Sequence, residues 1–183
     1  GIMGSIYMKK VLGMHAPRVG LVNVGSEEGK GNDLIKTAFS LLKDAPISFM
    51  GNIEAREIPS GDVDVIVCDG FVGNVILKLM EGMGLTFYSN VKNIFTRNII
   101  TYMAALMIRK GLKDFKKKMD YTEYGGAPLL GINGVVIKSH GSSKAKSFYS
   151  AIKQAKKFVE TGVIDDIRNH IYRAGGDYID SKE

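Results

Sequence analysis

Three polar, glycine-rich segments supply the residue types that could hold an anion, and each follows a short apolar run. The first, Gly-Ser-Glu-Glu-Gly-Lys-Gly at 25–31, leads through Asn32 into a helix-like pattern. A flexible loop opening into a helix offers backbone N–H groups and the positive end of the helix dipole, both suited to phosphate. Lys30 would add a point charge. The segment is not a Walker A loop: three residues rather than four separate Gly25 from Gly29, and Gly31 stands where Ser or Thr belongs. Nor is it a dinucleotide fingerprint, whose third glycine would fall on Leu34. ATP and NAD are poorly supported. The plainer reading is a tight turn with a solvated lysine.

The second segment, Asp-Gly-Phe-Val-Gly-Asn at 69–74, has the same setting. Asp69 and Asn74 either line the same pocket or cap the helix that follows, and Lys78 lies one turn further on. The third, Ser-His-Gly-Ser-Ser at 139–143 with Lys144 behind it, is the sharpest. Ser142, Ser143 and Lys144 suit a phosphate dianion. His140 could donate to a developing oxyanion or protonate a thiolate leaving group. Against these stand an N-cap serine and a structural histidine.

The elements that must position these residues are legible from periodicity. Residues 3–12 predict an amphipathic helix ending at Gly13, and 18–24 predict a buried, valine-rich strand. A helix from about Asn32, its N-cap, to Pro46 comes next, then strands at 47–50 and 63–68 and a helix starting near Asn74. A strand at 134–138, a helix from the 139–143 segment to about Thr161 and a last helix over 163–174 complete the chain. Strand, loop and helix in repetition predict an α/β domain with a parallel sheet, whose ligands bind beyond the carboxyl ends of strands.

The middle of the chain differs. Residues 86–110 hold no glycine or proline, and 99–108 are apolar nearly all round a helix. The run 109–118 then carries six cations, Arg109, Lys110, Lys113, Lys116, Lys117 and Lys118, and one acid, Asp114. A helical hairpin over 86–120, broken near Gly111, is the simplest reading. The apolar helix fits a core or dimer interface, insertion at a membrane surface, or docking of an acidic protein, with the basic run as the contact for lipid or protein. Nucleic acid fits less well, since Phe115 alone interrupts the cations as a stacking aromatic.

Composition sets outer limits. The 183 residues are 45% hydrophobic and 24% charged, with net charge +6, which favours an acidic partner without choosing one. No apolar run reaches the roughly 18–20 residues of a membrane-spanning helix. Cys68 is the one cysteine, so there is no disulfide framework or thiolate metal cluster, and a reducing cytoplasm is the expected compartment.

Several segments, in order and over nearly the whole chain, resemble the PlsX family of bacterial phosphate acyltransferases. They are Met-Gly-Ser-Ile-Tyr at 3–7, Asn-Val-Gly-Ser-Glu-Glu-Gly-Lys-Gly-Asn at 23–32, and Phe-Met-Gly-Asn-Ile-Glu-Ala-Arg at 49–56 continuing into 67–74. Tyr-Gly-Gly-Ala-Pro-Leu-Leu-Gly at 124–131 and Lys-Ser-His-Gly-Ser-Ser at 138–143 complete the set. The resemblance implies transfer of an acyl chain from acyl carrier protein to inorganic phosphate, with no cofactor and no metal. It implies a three-layer, Rossmann-like parallel or mixed sheet of the isocitrate and isopropylmalate dehydrogenase kind, with a protruding helical hairpin. It also implies a homodimer, cytoplasmic with peripheral membrane contact, supplying a downstream glycerol-3-phosphate acyltransferase and binding no nucleic acid. On this reading residues 1–183 are the C-terminal part of a single domain whose N-terminal half is absent. Lys30, Asn32, Asp69 and Asn74 are then expected to line the pocket, while His140, Ser142, Ser143 and Lys144 hold phosphate or the oxyanion. The alternatives are a short-chain phosphotransacetylase using coenzyme A and a non-catalytic membrane- or partner-binding module.

Overall fold

The structure, a computed structural model, describes residues 1–119, 125–141 and 143–174, with the backbone alone described at 114, 116–119 and 172–174. The chain divides into two compact units. One comprises residues 1–68, 127–138 and those from 152 onward; the other comprises 69–126 and 139–151.

The first unit is built on a three-stranded parallel sheet in the order β2–β1–β3. Strand β1 (Arg18–Asn23) is central because its side chains are apolar on both faces: Val19, Leu21 and Val22 are all buried. Strand β2 (Ser48–Glu54) runs further than the 47–50 expected from sequence. The register steps from Val19 opposite Phe49 to Gly20 opposite Gly51, so Met50 is an extra residue and the strand continues past the glycine as a bulge. A short 3₁₀ turn (Ala55–Ser60) leads to β3 (Val65–Val67), paired with β1 from Val19 to Leu21.

Helix α2 (Asp33–Lys43) joins β1 to β2 and presents Phe39 and Leu42 to Leu21, with Ile35, Ala38, Ile47, Phe49 and Val67 around them. Phe39 and Phe49 meet edge to face, ring centroids 5.2 Å apart. A second cluster joins α1 (Ile2–Lys10) to the end of α6 (Ala145–Glu160) and to α7 (Val163–Ala174), through Ile6, Val11, Phe158, Val163 and Ile167. Tyr7 stacks near Phe158 at 5.9 Å and its hydroxyl accepts a hydrogen bond from Gln154 Nε2 at 2.8 Å. The expected strand at 134–138 is reduced to β5 (Ile137–Lys138), which pairs antiparallel with β4 (Ala127–Pro128) in a separate two-stranded ladder.

At the start of β1, Arg18 clamps Asp64: its Nε donates to Oδ2 at 3.0 Å, one terminal nitrogen to Oδ1 at 3.2 Å, and its backbone N–H to Oδ2 at 2.8 Å. These bonds from Arg18 hold the Asp64 carboxyl below the usual aspartate range.

The second unit is helical. Helix α3 (Gly70–Phe95) begins four residues before the expected start near Asn74, because Asp69 accepts from the N–H groups of Phe71 (2.9 Å) and Val72 (3.1 Å) and so draws the two glycines into the first turns. Helix α4 (Ile99–Met107) opens on a reciprocal cap between Asn98 and Thr101. Helix α5 (Arg109–Met119) follows at once, so the break expected near Gly111 falls instead at 96–98 and at Ile108, with Gly111 inside α5. No residue of α3 or α4 is buried: Ile100 is 78% and Met107 88% exposed. Among the described residues, no helix is long and apolar enough to cross a membrane.

Two stability outcomes follow. Leu21→Ala removes a fully buried side chain from the centre of the first unit and should cost about 2–5 kcal/mol in denaturant unfolding. Asp64, with its pKa depressed in the folded state, contributes stability that is present above its unfolded value of about 3.9 and fades as pH falls through the lower folded value. Asp64→Asn should therefore lower Tm at pH 7, and the gap to the parent protein should close toward pH 2. A gap independent of pH would remove the ion pair as its cause.

Candidate functional site

The 25–31 loop is held from beneath by two buried asparagines that an apolar strand would not ordinarily carry. Asn23, 8% exposed, donates from Nδ2 to the Lys30 carbonyl at 3.0 Å and accepts at Oδ1 from the Val24 N–H at 2.8 Å. Asn52, 7% exposed and brought into place by the β2 bulge, donates from Nδ2 to the Glu27 carbonyl at 2.9 Å. Its Oδ1 is buried with no donor in reach among the described residues. The loop closes on itself where the Lys30 N–H donates to the Glu27 carbonyl at 3.2 Å. Gly31 has φ +89°, and a Cβ there would lie 2.6 Å from Asn23 Oδ1, so only glycine fits this turn.

The loop ends at α2, where Asn32 accepts at Oδ1 from the Ile35 N–H at 3.0 Å. That is the N-cap expected of it, and it turns the side-chain oxygen toward its own helix. Lys30 is exposed beside that helix N-terminus. Glu28 is held by Lys43 at 2.9 Å.

In the second unit, Asp69 serves as the cap of α3, so its carboxylate faces helix N–H groups. Asn74 and Lys78 are exposed on the first turns of α3, and Lys78 binds Glu81 at 2.8 Å. The hydrogen bond from Lys78, with the Lys78 charge and a smaller share from His140, holds Glu81 below the usual glutamate range. Lys78, Glu81 and His140 thus share one electrostatic neighbourhood. His140 and Lys144 are exposed, and Ser143 is half-buried with its N–H on the His140 carbonyl at 3.0 Å. The Lys144 carbonyl accepts from Ser147 (2.9 Å) and Phe148 (3.2 Å), which makes Lys144 the turn into α6.

This segment is fixed by what precedes it. Ser139 Oγ donates to the Gly125 carbonyl at 3.1 Å. Gly125, at φ +80°, lies so close to α6 that a Cβ would sit 2.2 Å from the Ala151 nitrogen. Ser142 lies outside the described residues. Of the cationic run, Arg109, Lys110 and Lys113 are exposed on α5, while the side chains of Lys116, Lys117 and Lys118 lie outside the description.

Lys30 and Asn32 are brought together in the first unit, and Asp69, Asn74, His140, Ser143 and Lys144 belong to the second. Residue-type reasoning had passed over Asn23, Asn52 and Glu81. The signal for the first two was an amide inside an otherwise apolar strand; Glu81 is one of many surface acids and carried none. Among the described residues no group of three or more His, Cys, Asp or Glu side chains converges as a metal site.

The model of the PlsX family, described as fatty acid synthesis protein, matches residues 1–166. The chain belongs to this family. It is 54% identical to a phosphate acyltransferase of Alkaliphilus oremlandii over 97% of the chain and 53% of that protein. It is also 54% identical to a phosphate acyltransferase of Acetivibrio thermocellus, over 92% of the chain and 50% of the relative. A third, from Thermoanaerobacter pseudethanolicus, is 53% identical over 95% and 52% respectively. The chain spans about half the length of the curated relatives it matches.

If Asn52 holds the loop, Asn52→Leu, close in size but unable to donate, should raise the open population of 25–31 about fivefold for a hydrogen bond worth about 1 kcal/mol. Tryptic cleavage after Lys30 should accelerate to match while the far-ultraviolet circular dichroism is unchanged. An unaltered cleavage rate would show that the amide does not tether the loop.

Proposed function

We propose that this chain carries part of the site of an acyltransferase that moves a fatty acyl group from acyl carrier protein to inorganic phosphate. The observation that carries this reading is the close likeness to proteins named phosphate acyltransferase over nearly the whole chain. The local structure supports it: a glycine loop, a helix N-terminus and Lys30 in one unit, and His140, Ser143 and Lys144 at the start of α6 in the other, all suit a phosphate.

The chemistry asks little of the protein. Hydrogen phosphate is already an anionic nucleophile near neutral pH, so positioning and oxyanion stabilisation carry most of the catalysis. A phosphate oxygen attacks the thioester carbon, and the carbonyl becomes a tetrahedral oxyanion. Collapse breaks the C–S bond, the acyl group stays on phosphate, and the proton that entered on hydrogen phosphate ends on the departing thiolate. Lys30 and Lys144 neutralise phosphate in this scheme, His140 relays the proton or donates to the oxyanion, and Ser142 and Ser143 donate to phosphate oxygens. Asn32 and Asp69 act mainly by fixing the starts of α2 and α3, while Asn74 faces substrate from the first turns of α3.

The same reading extends to the whole protein. It proposes the isocitrate and isopropylmalate dehydrogenase type of sheet, completed by sequence equivalent to the rest of the relatives' length, with 86–120 as a helical hairpin. The exposed apolar faces of α3 and α4 support a homodimer and peripheral membrane contact, and acyl phosphate is handed to a glycerol-3-phosphate acyltransferase.

The test is transfer of labelled phosphate into lipid-extractable product from palmitoyl-acyl carrier protein, by this chain and by a full-length relative side by side. Label with the relative alone would mean that the remaining half supplies essential groups; label with neither, on a substrate proved good, would end the reading. In the active protein, Lys30→Ala, His140→Ala and Lys144→Ala should each lower turnover by roughly 10²–10³-fold, the scale of a lost oxyanion donor, with Tm unchanged. A residue whose loss leaves the rate intact leaves the site.

A further inference from the structure

We propose that residues 175–183 turn back on α7 and seat Tyr178 and Ile179 in the groove between α7 and the loop joining β4 to β5. The groove belongs wholly to the first unit. It encloses about 350 Å³, room for a pair of side chains rather than for a folded element. Phe158 and Ile167, both buried, form its floor, and Ile132, Ile164 and Ile171 its walls. Arg168 spans the rim: one terminal nitrogen donates to Asp165 at 3.1 Å, the other to Asn133 Oδ1 at 3.5 Å. A guanidinium has five N–H donors, so capacity remains for a further carboxylate.

The segment that leaves α7 has the matching chemistry. It reads Gly-Gly-Asp-Tyr-Ile-Asp-Ser-Lys-Glu and lies outside the described residues. Its large apolar residues are one adjacent pair, Tyr178 and Ile179, bracketed by Asp177 and Asp180, and its three acids face one lysine. An apolar pair flanked by acids complements an apolar groove with a cation on its rim. Gly175, next after Ala174, suits the left-handed residue that ends a helix and reverses the chain. The reach is sufficient. Along the helix, Arg168 lies about 9 Å and Ile164 about 15 Å back from Ala174. The five residues 175–179, extended, cover up to about 16 Å. Electrostatics give the same direction, because acids placed just beyond a helix C-terminus meet the negative end of its dipole, whereas beside Arg168 they meet a cation. The proposal is independent of the acyltransferase reading.

The chain has no tryptophan, so Tyr178→Trp supplies a single reporter. Its emission in the folded chain should be blue-shifted, and acrylamide quenching weaker, than in the free nonapeptide 175–183 with the same change. The second measurement is titration of that nonapeptide, with the natural Tyr178, into the chain cut after Gly176, which keeps α7 and its glycine. A short tether gives an effective concentration of about 1 mM, so a tail seated about nine times in ten corresponds to a peptide dissociation constant of about 0.1 mM. The intact chain, its groove already filled, should bind the added peptide about tenfold more weakly. A peptide with Tyr178→Ser and Ile179→Ser should not bind the cut chain, a result that no change in protein folding can produce. Arg168→Glu in the cut chain should weaken the natural peptide about threefold or more, the scale of an exposed ion pair. Reporter emission equal to that of the free peptide, no peptide binding to the cut chain at millimolar concentration, or equal binding of the doubly changed peptide would overturn the proposal. So would emission that reddens on dilution, which would make the occupant the tail of a second copy.

Discussion

Two buried amides hold the feature on which everything else at the first unit's strand ends depends. A parallel strand that stops in the interior leaves carbonyls and N–H groups with no ladder partner, and burying them unpaired costs about 1–3 kcal/mol each. Asn23 and Asn52 take up that demand, the first on Lys30 and Val24, the second on Glu27. Their reach sets the height of the loop above the sheet, and Gly31 permits the close approach that Asn23 requires. The β2 bulge belongs to the same device. Without the extra residue at Met50, Asn52 would move one place along the strand and its side chain would change face. Loop, bulge and amides form one constraint, and the presentation of Lys30 at the α2 N-terminus follows from it.

The second unit obeys a different constraint. Its longest helix has no buried residue, and large apolar side chains from Phe71 to Met107 are open along α3 and α4. Exposed patches beyond a few hundred Å² on a folded protein ordinarily mark surface that something else covers. Propensity and capping can specify helices of this kind locally, as Asp69 and Asn98 do, but most helical stability in proteins comes from packing of an apolar face. The helices of this part therefore rest on capping and propensity more than the sheet unit does, which has its own two clusters around Leu21 and Phe158.

Much of the sheet unit was legible in the sequence because each of its elements has a local cause. The valine run of β1, the Asn32 cap and the 3.6-residue spacing of α2 act within a few residues of one another. The misjudged boundaries share a different origin. β2 was read too short because Gly51 looks like a stop, and only pairing with β1 shows that the strand absorbs it. α3 was read too late because Gly70 and Gly73 resemble a loop, although the two bonds to Asp69 suffice to start the helix. The hairpin break was placed at Gly111 on composition, whereas the chain turns at 96–98 and Ile108, with Asn98 capping the new helix. Of the candidate site, side-chain chemistry pointed to segments but not to the residues that hold them in place. Asn23 and Asn52 matter through partners 7 and 25 residues away in sequence, separations that periodicity cannot register.

Around His140, an acid stands among the groups proposed to hold an anion. Glu81, held below the usual range first by its bond to Lys78, is ionised at neutral pH, so the pair Lys78–Glu81 carries no net charge. Its attraction for an anion is then dipolar and short-ranged, and the long-range pull falls to Lys144 and to the start of α6. Paired with Lys78, the Glu81 carboxylate repels an incoming anion less than it would alone. One ion pair within a turn of α3 therefore lets an acid stand near His140 and Lys144 without cancelling the pull of the exposed cations on an anion.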